Sequence, residues 1–123
     1  MTENKSGASV QHVFAGIPTA DYKTALPWYE RLFGRPPDVI VKDDEAMWQV
    51  ASSAWVYVVA DTKRAGNALL AILVEDLDAS LAQLAERGIK SGAIETEPGM
   101  YRQVVVTDPD GSMVKIFENL AAD

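Results

Sequence analysis

Two stretches of this sequence repeat each other, and a repeat of that size leaves few folds open. Asp21 opens a segment in which Tyr22, Ala25, Leu26, Tyr29 and Leu32-Phe33 recur three and four residues apart, and Gly34 closes it. Asp76 opens another, with Leu77, Leu81, Leu84 and Ala85 on one stripe, closed by Gly88. The openers lie 55 residues apart and the closing glycines 54. One apolar extended run precedes each helix (10–17 and 69–74) and three follow it (39–42, 47–51 and 55–60; 89–95, 101–107 and 112–117). Asp43-Asp44, Ser52-Ser53 and Asp108-Pro109-Asp110-Gly111 supply the turns. Two tandem βαβββ units make an α+β duplication. Pro27 inside the first helix predicts a kink or an irregular first turn, and Arg35-Pro36-Pro37 a stiff exit.

At 123 residues the chain is one domain by length. It divides into a polar tail over 1–9, expected to be disordered, and a single domain over 10–120. The units within it run 10–60 and 68–118, joined by the polar linker 61–67. A net charge of −7 leaves no basic stripe to displace counterions, which argues against non-specific nucleic-acid binding. The absence of cysteine excludes disulfides and thiolate chemistry, and the lone His12 excludes a two-His metal site within one chain. No apolar run reaches the length of a membrane span, and 1–9 lacks a signal-peptide core, so the expected compartment is the cytoplasm.

Three stretches carry a resemblance: Ala25-Leu26-Pro27-Trp28-Tyr29-Glu30-Arg31-Leu32-Phe33-Gly34, Val74-Glu75-Asp76-Leu77-Asp78-Ala79 and Thr107-Asp108-Pro109-Asp110-Gly111. Together with the element order they make the chain resemble the vicinal oxygen chelate superfamily, which includes glyoxalase I, extradiol dioxygenases and bleomycin-resistance proteins. The resemblance covers about Val10 to Phe117. It implies curved mixed sheets with helices on the convex side and a ligand cavity on the concave side. It also implies that metal-dependent members hold their ion at the positions occupied here by Phe14, Leu69 and Lys115. Phe and Leu have no donor atom and a lysine ammonium repels a cation, which points to a metal-free branch. A site rebuilt from His12, Asn67 and a fourth-strand residue is the alternative, whereas Glu118 falls on the opposite face from Lys115.

Strand parity collects His12, Phe14, Leu69, Ala71, Leu73, Lys115 and Phe117 on the concave face, with Tyr101, Gln103 and Val105 from the seventh strand. Alignment of the repeats adds Trp48. In the fourth strand the same alignment turns Val56 and Val58 inward, while Trp55 and Tyr57 are the side chains suited to a flat ligand; parity leaves that choice open. The expected ligand set is His12, Phe14, Trp48, Leu69, Tyr101, Gln103, Lys115 and Phe117, with no catalytic residue, metal or cofactor. The reading is a metal-independent small-molecule-binding protein, forming a homodimer whose units pair within or across chains. The alternatives are a lyase, isomerase or dioxygenase of the same superfamily, metal-dependent through a rebuilt site or cofactor-independent through Lys115 or His12, and a module whose concave face binds protein.

Overall fold

The structure is a computed structural model that describes residues 9–121. The expected tail therefore lies, apart from Ser9, outside the described residues. The first unit comprises β1 (Val13–Thr19), α1 (Tyr22–Phe33), β2 (Val39–Lys42), β3 (Glu45–Ala51) and β4 (Ala54–Ala60). The second comprises β5 (Leu69–Leu73), α2 (Leu77–Glu86), β6 (Glu95–Glu97), β7 (Tyr101–Thr107) and β8 (Met113–Asn119). Each unit makes one mixed four-stranded sheet, in the orders β1-β4-β3-β2 and β5-β8-β7-β6. The outer pair β1–β4, like β5–β8, is parallel and the remaining pairs are antiparallel. No helix among the described residues is long and apolar enough to cross a membrane.

Both helices begin on the residues that the repeat singles out. The Asp21 carboxylate accepts from the Thr24 amide and hydroxyl, and Asp76 accepts from the Ala79 amide, so each satisfies a donor that the first turn leaves free. Gly34 ends α1 with φ +76°, a left-handed cap that glycine adopts without a Cβ clash. α2 ends on Arg87, and Gly88 takes the left-handed turn after it. α1 runs through Pro27 unbroken. Pro27 and Lys23, one turn earlier, both face solvent, where water can satisfy the Lys23 carbonyl that lacks a proline donor.

The Thr24 bonds hold the Asp21 carboxyl below the usual carboxylate range. A carboxyl depressed in the folded state adds stability above its unfolded pKa and loses it as pH falls through the folded value. Stability is therefore expected to decline below about pH 4, and Asp21→Asn to flatten that decline in urea melts across the acid range.

The expected strand over 89–95 shortens to β6, three residues at the sheet edge. Ile89 is instead drawn into the core, and the weak strand formers Ser91-Gly92-Ala93 contribute one bond to β7, from the Gly92 amide to the Val105 carbonyl (3.0 Å).

The two units share one core. Ile17, Tyr29, Trp48, Val56 and Val58 of the first join Leu77, Leu84, Val104, Val114 and Ile116 of the second in a single buried cluster. Polar groups fasten the join. The Tyr29 hydroxyl donates to Asp108 (2.7 Å), and Thr19 Oγ1 and the Ala20 amide donate to Asp110. Arg87 donates to the Arg31 and Leu32 carbonyls at the C-terminus of α1, where a cation also meets the negative end of the helix dipole.

Gly66 brings the linker against this join. Its φ is +86°, and a Cβ there would sit 2.6 Å from the Asp110 carbonyl oxygen. Gly66→Ala is expected to cost about 1–3 kcal/mol, because both backbone strain and the clash must be relieved. Thermal melts of the two proteins check this.

Candidate ligand-binding face

In each sheet the side chains alternate between the shared core and an open face. On the first sheet, register places Phe14 beside Trp55 and Trp55 beside Gln49, then Gly16 beside Tyr57 and Tyr57 beside Met47. These residues share the open side. The Phe14 and Trp55 rings stack with centroids 5.6 Å apart and planes 17° apart. Trp55 Nε1 donates to His12 Nδ1 (3.1 Å), which brings the imidazole edge-on to the indole. The tip of the Tyr57 ring lies across β1 where a Cβ on Gly16 would stand, 2.6 Å from both Cζ and Oη. A glycine in mid-strand is costly unless something needs the space, and here an aromatic ring uses it.

On the second sheet the open face carries Leu69, Ala71 and Leu73 from β5, Met113, Lys115 and Phe117 from β8, and Tyr101, Gln103 and Val105 from β7. Leu69 is 78% exposed and Leu73 59%, far more than a leucine needs on a finished surface. A hollow of about 310 Å³ is lined by Leu69, Leu70, Ala71, Val105, Met113 and Lys115. A neighbouring one of about 260 Å³ is lined by Ala71, Tyr101, Gln103, Lys115 and Phe117. A third, about 290 Å³, runs between the sheets from Trp55 to Ala71 and Leu73. Ala71 lines all three.

The carboxylates near this face are mostly engaged elsewhere. Glu118 points to the helix side, where it accepts from the Leu77 amide at the start of α2 (2.8 Å) and pairs with Arg102 (3.4 Å). Arg102 in turn holds Asp78 (3.0 Å) and keeps its carboxyl below the usual range. Glu95, on the edge strand, accepts weakly from Gln103 (3.4 Å).

A sequence profile described as the Glyoxalase/Bleomycin resistance protein/Dioxygenase superfamily matches residues 9–116. The chain belongs to that superfamily. A glyoxalase/bleomycin resistance protein from Catenulispora acidiphila DSM 44928 is 37% identical, with a TM-score of 0.83 over 87% of this chain and 96% of that one. TnmS3, an antibiotic-binding protein from Streptomyces sp. CB03234, shares the fold at 22% identity, with a TM-score of 0.70 over 94% and 99% of the two chains. A bleomycin-binding protein complexed with bleomycin shares it at 19% identity and a TM-score of 0.71, over 88% and 98%. No curated protein matches the chain.

The positions at which the family resemblance places a metal carry other side chains. Phe14, Leu69 and Lys115 offer no anionic or imidazole ligand, and among the described residues no three His, Cys, Asp or Glu side chains cluster to hold an ion. His12 is committed to Trp55, and Asn67 turns its amide nitrogen to the Arg64 and Ala65 carbonyls of its own loop.

Of the residues expected on the ligand face, Phe14 lies on the open face of the first sheet, and His12, just before β1, is joined to it through Trp55. Leu69, Tyr101, Gln103, Lys115 and Phe117 lie on that of the second. Trp48 does not. It pairs with Val56 on the other side of the sheet, is 0% exposed, packs its ring 5.2 Å from Phe33, and donates through Nε1 to the Arg35 carbonyl (3.0 Å). In the fourth strand, where parity leaves the choice open, Val56 and Val58 are buried against the helix side, and Trp55 and Tyr57 take the open face. Aligning the two repeats one residue out of phase exchanges the faces of a strand, which accounts for Trp48. The β3–β4 pairing is regular from Glu45 to Gln49, so Trp48 and Val56 share one face. The parallel pairing of Phe14 with Trp55 is the signal that places the fourth strand correctly.

Proposed function

We propose that this superfamily member is a metal-independent small-molecule-binding protein whose ligand occupies the aromatic-lined open faces of the two sheets. The observation that carries the reading is the stacked Phe14–Trp55 pair: Phe14 is 49% exposed, and Trp55 borders a hollow whose far wall includes Ala71 and Leu73. Large apolar rings left uncovered beside a concavity with few polar groups match the make-up of small-molecule sites. The names of the bleomycin-binding and antibiotic-binding structures of the same fold support this class of ligand. The donor set supports independence from metal. A homodimer completes the reading: Leu69 and Leu73 need cover, and two-fold pairing is the commonest way for a soluble chain to provide it.

The test is a screen of planar aromatic compounds in buffer containing EDTA, reading tryptophan fluorescence. Binding is expected to quench Trp55, and Trp55→Phe to remove that response while Trp28 and Trp48 still emit. Binding that vanishes in EDTA, or a stoichiometric metal in protein purified without a tag, overturns metal independence. Light scattering reads the oligomeric state, and a monomer at all concentrations overturns the dimer.

A further inference from the structure

Resting on that reading, we infer the ligand's charge class: an organic carboxylate with a planar apolar body, its anionic end held by Lys115. β8 is paired on both sides, so Lys115 sits in mid-sheet between Ala71 on β5 and Val105 on β7. Neither neighbour has a polar side chain. The other lysines without a carboxylate partner among the described residues, Lys23, Lys63 and Lys90, lie on a helix or in loops. In a chain with 18 acidic residues against 11 basic ones, a lysine amid apolar neighbours and with no carboxylate of the described residues within 4.0 Å is a specific placement.

The two hollows on this face differ in a way that positions the anion. The one toward Tyr101 and Gln103 borders β6, whose Glu95 repels a second carboxylate. The one toward Leu69 and Met113 has Lys115 as the only polar side chain in its wall. A carboxylate there meets a cation over apolar surface, where partial desolvation strengthens the pair, and its body lies on the leucine, valine and methionine walls. At about 310 Å³ the hollow stands at the lower end of the range for small-molecule sites. Ala71 also lines the hollow that reaches Trp55.

Three isosteric probes test the charge class: 2-naphthoate, 2-naphthylmethanol and 2-naphthylmethylammonium, titrated at low and moderate salt. Naphthoate is expected to bind at least about tenfold more tightly than either of the others, one tenfold step being about 1.4 kcal/mol, with the preference shrinking as salt rises. Lys115→Met should bring naphthoate down to the alcohol's affinity and leave the alcohol's unchanged, whereas Lys115→Arg should keep the preference. Lys115 is exposed, so these variants are expected to fold, and their melting temperatures confirm it. Ala71→Trp should exclude all three probes by filling the floor of the hollows. Equal binding of the three probes, or a carboxylate preference that survives Lys115→Met, overturns the charge class and leaves the small-molecule reading standing. If folded protein binds none of them up to millimolar concentration, the small-molecule reading fails and the inference fails with it.

Discussion

Trp48→Ala is expected to lower the unfolding free energy by about 3–5 kcal/mol, the range for removing a large aromatic side chain from a packed core. Trp48 has no exposed surface, and its ring meets Tyr29 and Phe33 where α1 crosses the first sheet. The substitution also leaves the Arg35 carbonyl without the Nε1 donor. Against a total of roughly 5–15 kcal/mol for a domain of this kind, such a loss leaves little reserve. Trp55→Ala should behave oppositely, costing under about 1 kcal/mol because one face of its ring is already open, and removing aromatic ligand binding instead. Urea melts of both variants together with a binding titration separate the two tryptophans. A mild Trp48→Ala phenotype with lost binding would show that the helix-side assignment is wrong.

Asp108→Ala should be nearly as damaging, at about 3–5 kcal/mol, for an electrostatic rather than a volumetric reason. The carboxylate is buried at the join of the two units. Its Oδ1 accepts from the Asp110 amide (2.9 Å) and the Ser112 amide (2.8 Å), and its Oδ2 from the Tyr29 hydroxyl (2.7 Å). Removing it strands the buried Tyr29 hydroxyl and Ser112 amide, together with the part-buried Asp110 amide, without their acceptor. Among the described residues every buried side-chain nitrogen and oxygen has a partner, so the loss has no slack to absorb it. Burial, reinforced by the neighbouring Asp108 carboxylate, pushes the Tyr29 phenol far above its ordinary pKa, which keeps the donated proton in place at any pH the fold survives. Tyr29→Phe should cost less, about 1–3 kcal/mol, since only Oδ2 loses its donor. The ranking of these two variants by chemical denaturation checks the account; a Tyr29→Phe loss equal to that of Asp108→Ala would show that the turn amides contribute nothing.

This pair of residues also illustrates what local pattern conveys. Asp108-Pro109-Asp110-Gly111 reads as a turn from composition, and a turn it is, with the Gly111 amide bonded to the Asp108 carbonyl. That the same aspartate fastens this turn to a tyrosine 79 residues earlier is invisible locally, because the contact exists only once the two units are packed. Lys115 is the opposite case. Its isolation on an apolar strand face follows from alternation alone, and the structure adds the absence of a nearby carboxylate among the described residues and the hollow beside it.

The amino-acid sequence by itself determined the duplicated βαβββ plan, the caps on Asp21, Asp76 and Gly34, and the face of every strand in the second unit that carries site residues. These rest on interactions between residues a few positions apart, where 3.6- and 2-residue periods apply directly. Tertiary structure alone decided which faces of β3 and β4 look outward, how far β6 extends, and which carboxylates are already spent on caps and ion pairs. Register between strands is a property of pairs distant in sequence. Pairing with Val56 places Trp48 on the core side, and pairing with Phe14 places Trp55 on the open face.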